Sequence, residues 1–346
     1  MLKILSLDGG GLRGLYQIQV LKKIEKELGN LNDYFDIIIG TSVGSMLACF
    51  IRLGYDVNTI EKQYLENLRK TFTIAEIYEN NFNSLKEILK KENQKVIGIE
   101  IKDGINIFKT NNKTGEKYKA HMRETLINKK INKPFYTISI NISDREPKIF
   151  RVDENSTTKD IVDAIASSTA LPGLFKPHEI NGKFYSDGGV LYNDPSLVAL
   201  SIALKIEKDA SKIKILSIGT LDEINSSQNI FDTKYLKNKM LDYLTKENNF
   251  LKYIKNKSND IDFINFVGLG SLGSYAHNYT SSFFDATNKG HREILNTIFN
   301  LFNANDNYLR INHKVTNKSL ATQYLYEYTK LVFDDKELID KIKKWV

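Results

Sequence analysis

The chain has 346 residues, 41% hydrophobic and 26% charged, an ordinary globular balance that excludes a mostly disordered chain, a collagen and a coiled-coil rod. A single cysteine, Cys49, excludes an internal disulfide framework and a multi-cysteine zinc knuckle, and fits a reducing compartment. The net charge of +7 is a modest basic excess, and no segment reaches the ~18 consecutive apolar residues of a membrane span.

Residues 3–7 form a short apolar run that stops at Asp8-Gly9-Gly10-Gly11, the pattern of a buried strand entering a glycine turn. Leu15, Ile18, Leu21, Ile24 and Leu28 then recur at helical spacing, and Gly29-Asn30 ends that helix. A second apolar strand over 35–39 runs into Gly40-Thr41-Ser42-Val43-Gly44 and a helical run over 45–53. This strand-turn-helix alternation predicts a parallel sheet with crossover helices, an α/β fold. From Asn58 to about Lys130 the chain is more polar and mostly helical, with a helix over 85–91 and lysines clustered at 86–95 and 113–130. Strands are expected over 135–142 and 148–152, and a helix from Thr157 with Ile161, Ala164, Ile165 and Ser168 on one face. Asn181-Gly182 signals a hairpin, followed by a strand over 183–186 that runs into Asp187-Gly188-Gly189. Another strand is expected over 212–218, ending in Gly219. The last third reads as mixed and more helical, with Ile294, Leu295, Ile298 and Leu301 on one helix and Leu338, Ile342 and Trp345 on a final one. No repeat or linker divides the chain, so one domain is expected, with a catalytic region over 3–205 and an extension over 206–346 packed on it. The amino-terminal apolar run, broken at Asp8, is too short for the core of a secretory signal, so a cytoplasmic location is expected.

Three motifs carry chemistry. Gly40-Thr41-Ser42-Val43-Gly44 is a G-x-S-x-G between strand and helix, where a serine sits on a sharp turn and the flanking glycines let strand and helix approach. Asp8 to Gly14 contains G-x-G-x-x-G in the same kind of context. A dinucleotide site would need an acid at the end of the second strand, but Asp36 lies at its start and the serine turn occupies its end. The other reading is an oxyanion hole of backbone N–H groups beside Ser42, since parallel neighbours bring the two turns side by side. The third motif is Ser186-Asp187-Gly188-Gly189. A serine hydroxyl needs a base, and His121, His178, His277, His291 and His313 are scattered in polar stretches outside any motif.

These residues resemble the patatin-like phospholipases. The resemblance spans Lys3 to about Ser201 in five ordered motifs: the glycine turn, the Ser42 elbow, Ser167 to Pro172 with Phe175-Lys176-Pro177, Asp187-Gly188-Gly189, and Asn193-Asp194-Pro195. A sixth stretch, Asn307 to Ile311, is similar to the distal part of some members. The resemblance implies a three-layer α/β/α architecture with a mostly parallel central sheet. It implies a serine carboxylic-ester hydrolase acting on fatty-acyl esters of membrane glycerophospholipids, with Ser42 as nucleophile and Asp187 as general base in a dyad without histidine. Gly10 and Gly11, with neighbouring Gly9, would supply the oxyanion hole, Gly40 and Gly44 are the elbow glycines, and Arg13 is a candidate for holding a substrate phosphate.

No step of that chemistry needs a metal or a cofactor, and none is expected. The partner expected is a phospholipid surface met peripherally, at the inner membrane when the enzyme is active, with the lysine clusters facing anionic headgroups. No nucleic acid polymer is expected as partner. Some bacterial members are anti-phage effectors switched on by a cyclic nucleotide, and a standalone chain of this size is similar to those, which makes a cyclic nucleotide the candidate activator by analogy. The alternatives are a serine acylhydrolase of non-membrane esters, and a non-catalytic nucleotide- or lipid-binding module on the same scaffold.

Overall fold

The computed structural model describes residues 1–71, 112–126, 129–172, 175–223, 285–315, 332 and 335–346. The expected helix over 85–91, the lysines at 86–95 and His277 lie outside these residues.

Five parallel strands form the body of the sheet: β1 (Leu2–Leu7), β2 (Ile37–Thr41), β3 (Phe135–Asn141), β7 (Ile213–Ile218) and β9 (Tyr308–Ile311), in the order β3-β2-β1-β7-β9. Their continuous apolar runs suit strands covered on both faces. Three antiparallel strands extend the β3 side: β4 (Glu146–Val152), β5 (His178–Ile180) and β6 (Lys183–Asp187). β2 pairs with β3 only as far as Ile138, and β6 takes over from Ser139, which faces Asp187. The β5–β6 turn is Asn181-Gly182, both with positive φ (51° and 77°), the signature of the two-residue hairpin expected from that dipeptide. β8 (Asp222–Glu223) and β10 (Lys314–Val315) form a separate small ladder.

Alternate side chains of each central strand enter two cores. On one face Leu5, Leu7, Ile38, Phe135, Leu216 and Ile218 pack under helices α1 (Gly14–Leu28), α3 (Val43–Arg52), α4 (Val57–Thr71), α5 (Asn112–Leu126), α6 (Thr158–Ser168) and α10 (Lys336–Trp345). On the other face Ile4, Ile37, Ile39, Ile138, Ile213 and Ile215 pack against α8 (Ser196–Ala203) and α9 (285–301). The molecule is thus a three-layer α/β/α fold, as expected. Each fully buried Leu or Ile contributes about 1.5–3 kcal/mol, so the two faces of the sheet are the main source of stability. Two further short helices are α2 (Leu31–Tyr34) and α7 (Gly189–Tyr192).

Several helix ends follow the sequence closely. Thr157 and Asp160 form a reciprocal capping box at the start of α6. In α10 Leu338, Ile342 and Trp345 are all buried, and the Trp345 indole N–H donates to the Asn307 carbonyl, which docks the helix on the body. Helix α9 forms as expected but buries only part of the expected apolar set. Leu295 and Phe299 are its buried apolar residues and Ile298 is partly buried against the same core, whereas Ile294 and Leu301 are exposed, at 51% and 76%. Arg52, buried at the end of α3, donates to the carbonyls of Asn32, Phe35, Asp36 and Pro134 and stitches together the chain entering β2 and β3.

Candidate active site

Leu7 pairs with Gly40, so the turns leaving β1 and β2 start at the same level of the sheet. Ser42 is the first residue beyond β2 and precedes α3, with φ 52° and ψ −121°. A non-glycine residue in this region costs about 1–3 kcal/mol and persists only where the surroundings fix it. They do so tightly. A Cβ on Gly44 would lie 2.2 Å from the Leu7 carbonyl oxygen, and one on Gly40 2.2 Å from the Gly44 carbonyl. The Ser42 N–H donates to Ser168 Oγ at 2.9 Å, and Ser168 Oγ donates in turn to the Ile138 carbonyl. The Ser45 hydroxyl and N–H both donate to the Ser42 carbonyl.

The Ser42 hydroxyl donates to Asp187 Oδ2 at 2.6 Å. Asp187 ends β6, and its own N–H is held by the Ala170 carbonyl. Its second oxygen, Oδ1, accepts from the Gly189 N–H at 2.7 Å. The carboxyl is 2% exposed. Burial pushes its pKa up to about 6, against the lowering effect of the Ser42 hydroxyl and the Gly189 N–H. On the helical side the buried Met46 sulfur accepts from Tyr118 OH and from the Asn67 amide, which also donates to the Met122 sulfur.

The glycine turn after β1 abuts Ser42: a Cβ on Gly9 would lie 3.2 Å from Ser42 Cβ and 2.4 Å from Asn193 Oδ1. The three glycines are not equivalent. The Gly9 N–H already donates to the Asn193 carbonyl at 2.9 Å, which removes Gly9 from the expected set of oxyanion donors and makes it a packing residue. The N–H groups of Gly10 and Gly11 bear no hydrogen bond to another described residue. The turn is held by Thr220 Oγ1 donating to the Gly9 carbonyl, by Tyr64 OH donating to the Gly11 carbonyl, and by the Gln17 amide donating to the carbonyls of Asp8 and Ile218. Arg13 lies at the end of the turn with its Nε donating to the Thr220 carbonyl at 2.9 Å, so that edge of the guanidinium is engaged in the fold.

Asp8 and Asp194, both buried, share Arg310, and Asp194 also meets Arg292. Burial pushes Asp8 up to about 7, with Arg310 countering only in part. Burial also acts to raise Asp194, but Arg310, the Ser196 hydroxyl and Arg292 outweigh it and hold this acid below its ordinary range. Arg310, Arg292, Ser168, Asn193 and Thr220 all touch the site or its supports, and sequence reasoning gave none of them a role. Their only signal was membership of recognised stretches, which holds for Ser168, Asn193 and Arg310.

The described histidines are engaged elsewhere. His178 pairs with Asp163 at 2.8 Å, His313 with Tyr16 and Asp335, His121 with Glu124, and His291 stacks on Tyr192. Among the described residues no cluster of His, Cys, Asp or Glu has the composition of a metal site.

Comparison with known proteins gives a consistent picture. The sequence profile described as "Patatin-like phospholipase" matches residues 5–200. A "cGAMP-activated phospholipase" of Escherichia coli strain TW11681 is 27% identical over 241 residues, covering 64% of this chain and 62% of the relative. A protein with the same description from Vibrio cholerae serotype O1 is 28% identical over 243 residues, covering 64% of each. A "cUMP-AMP-activated phospholipase" of Escherichia coli is 28% identical over 231 residues, covering 63% of this chain and 64% of the relative. The match therefore spans a little under two thirds of these relatives.

Proposed function

The chain belongs to the patatin-like phospholipase family, and from that premise we propose that it is a serine-dependent lipid acyl hydrolase working through a Ser42–Asp187 dyad. The observation that carries the reading is the 2.6 Å hydrogen bond from the strained Ser42 hydroxyl to the buried Asp187 carboxylate. An ordinary aspartate is a weak base for an alcohol. Burial that lifts Asp187 to about 6 narrows that mismatch while leaving the group ionised at neutral pH.

In this mechanism Asp187 takes the Ser42 proton as Oγ attacks the ester carbonyl. The Gly10 and Gly11 N–H groups stabilise the developing oxyanion. Asp187 then gives the proton to the leaving alcohol, and an acyl-enzyme remains on Ser42. Water repeats the sequence: Asp187 accepts its proton, hydroxide attacks the acyl carbon, and Ser42 leaves reprotonated with release of the fatty acid. The Gly189 N–H fixes the carboxylate rotamer throughout. Arg13, at the end of the glycine turn, is the residue this reading places against a headgroup phosphate.

The substrate in this reading is the acyl ester of a membrane glycerophospholipid, met from the surface. No helix among the described residues is long and apolar enough to cross a membrane. The relatives described as cGAMP- and cUMP-AMP-activated support a cyclic dinucleotide as activator, and a place in anti-phage defence follows by the family analogy drawn from the sequence. The test is incubation of the protein and its Ser42→Ala variant with mixed phospholipid vesicles, with and without cGAMP or cUMP-AMP. Fatty acid release by the parent and none by the variant is expected. Equal release by both would remove Ser42 from the mechanism.

A further inference from the structure

The catalytic motifs lie within residues 5–200, but the charge that holds them together comes from outside that stretch. Arg310 stands on β9, two strands from β1, separated from Asp8 by 302 positions of sequence. Its guanidinium is bidentate on Asp8, with NH1 donating to Oδ1 at 2.7 Å and NH2 to Oδ2 at 2.5 Å. NH1 also donates to Ser217 Oγ at 2.6 Å and lies 3.2 Å from Asp194 Oδ2. Asp194 closes the segment that follows Asp187. Its Oδ1 accepts from the Ser196 N–H and hydroxyl, its N–H donates to Asn288 Oδ1, and Arg292 meets its other oxygen at 3.2 Å.

The two acids belong to the two halves of the site. Asp8 opens the glycine turn whose Gly10 and Gly11 N–H groups bond to no other described residue, and Asp194 adjoins Asn193, whose carbonyl receives the Gly9 N–H. One guanidinium thus ties the turn that carries the oxyanion donors to the turn that leaves the base. We propose that Arg310 is a positioning residue for the reaction: by clamping Asp8 and Asp194 together it sets the Gly10–Gly11 N–H groups against Ser42 and Asp187. The proposal rests on the hydrolase reading above. It touches neither substrate nor reacting atoms.

The chemistry of the clamp makes it specific for arginine. A planar fork grips a carboxylate through two parallel bonds and keeps a further edge for a second acid, whereas a lysine ammonium offers one point charge. Arg310→Lys keeps the buried charge balance of two acids and two bases but loses the fork. Transition-state donors displaced by under an ångström lose much of their effect, and removing one such donor costs ~10²–10³ in kcat. The expected result for Arg310→Lys is a folded protein with kcat on a p-nitrophenyl acyl ester down ~10-fold or more and KM within about twofold. A merely structural arginine would lower the melting temperature and leave kcat per folded molecule unchanged.

The experiment measures kcat, KM and thermal melting for the parent, Arg310→Lys, and the double variant Asp8→Asn with Arg310→Gln, which replaces the pair by neutral hydrogen-bonding groups. Ser42→Ala is run alongside. A kcat loss with KM held in folded Arg310→Lys, or in the double variant where Arg310→Lys does not fold, supports the clamp. Arg310→Lys folded with kcat within twofold of the parent would overturn it, and so would failure of both variants to fold, which makes Arg310 structural only. Silence of the parent with cGAMP and cUMP-AMP both supplied, or equal turnover by Ser42→Ala, counts against the hydrolase reading and takes the proposal with it.

Discussion

At the scale of the residue, the proposed dyad trades stability for a usable base. Asp187 would sit near 3.8 in an unfolded chain and is lifted to about 6 when folded. The folded state therefore binds this proton more tightly than the unfolded one. The stability tied to the protonated form is fully present below about pH 4 and is lost as pH rises through about 6, which amounts to about 3 kcal/mol at 1.36 kcal/mol per pKa unit. Asp187→Asn abolishes the charge and keeps the shape, with an amide oxygen able to accept from Gly189. The expected outcome at pH 7.5 is a higher urea midpoint than the parent together with a loss of ~10³ or more in turnover. In the parent, kcat/KM should fall tenfold per pH unit below about 6, as the base becomes protonated. A parent profile flat down to pH 5, or an Asp187→Asn variant that turns over normally, would show that another group takes the Ser42 proton.

At the scale of the element, the elbow depends on strand β2 and helix α3 meeting without side chains between them. Gly44→Ala places a methyl 2.2 Å from the Leu7 carbonyl, which is backbone and has nowhere to move. A loss of about 3 kcal/mol or more by chemical denaturation is expected, with Ser42 displaced from Asp187. An unchanged midpoint would mean that α3 slides freely against β1. This close approach was legible in the sequence because it is local: strand, G-x-S-x-G and helix lie within twenty residues, and the periods of β1, α1 and β2 are clean. The Asn181-Gly182 hairpin and the Thr157 cap were legible for the same reason. Less was legible where the structure is non-local. β9 is four residues long, too short for a period to register, yet it closes the sheet and brings Arg310 to Asp8. Spacing along the chain says nothing about an ion pair across 302 positions. On α9 the apolar residues outnumber the buried positions, so periodicity picked out Ile294, Leu295, Ile298 and Leu301, and packing against the core of Ile213 and Ile215 buried Leu295, took in Ile298 in part and left the other two exposed. The availability of each glycine N–H was equally hidden, since it turns on where the Asn193 carbonyl lands.

At the scale of the whole molecule, the catalytic region and the later strands share one sheet, with β7 pressed directly against β1. A signal received along 213–223 or 285–315 therefore has a short mechanical path to the glycine turn, through Thr220, Arg292 and Arg310. If a cyclic dinucleotide binds the folded state, linkage requires it to raise the melting temperature: at 100 times its Kd the gain is about 2.7 kcal/mol. A shift of several degrees with cGAMP or cUMP-AMP is expected, and none across a wider panel of cyclic di- and trinucleotides would contradict nucleotide control. The central claim concerns Ser42 itself, and its most direct test is covalent. The purified protein is treated with a fluorophosphonate bearing a long alkyl chain, and the modified residue is mapped by mass spectrometry. The account predicts a single adduct on Ser42, formed far more slowly in Asp187→Asn. An unmodified Ser42, or labelling at the same rate when Asp187 has lost its charge, would contradict it.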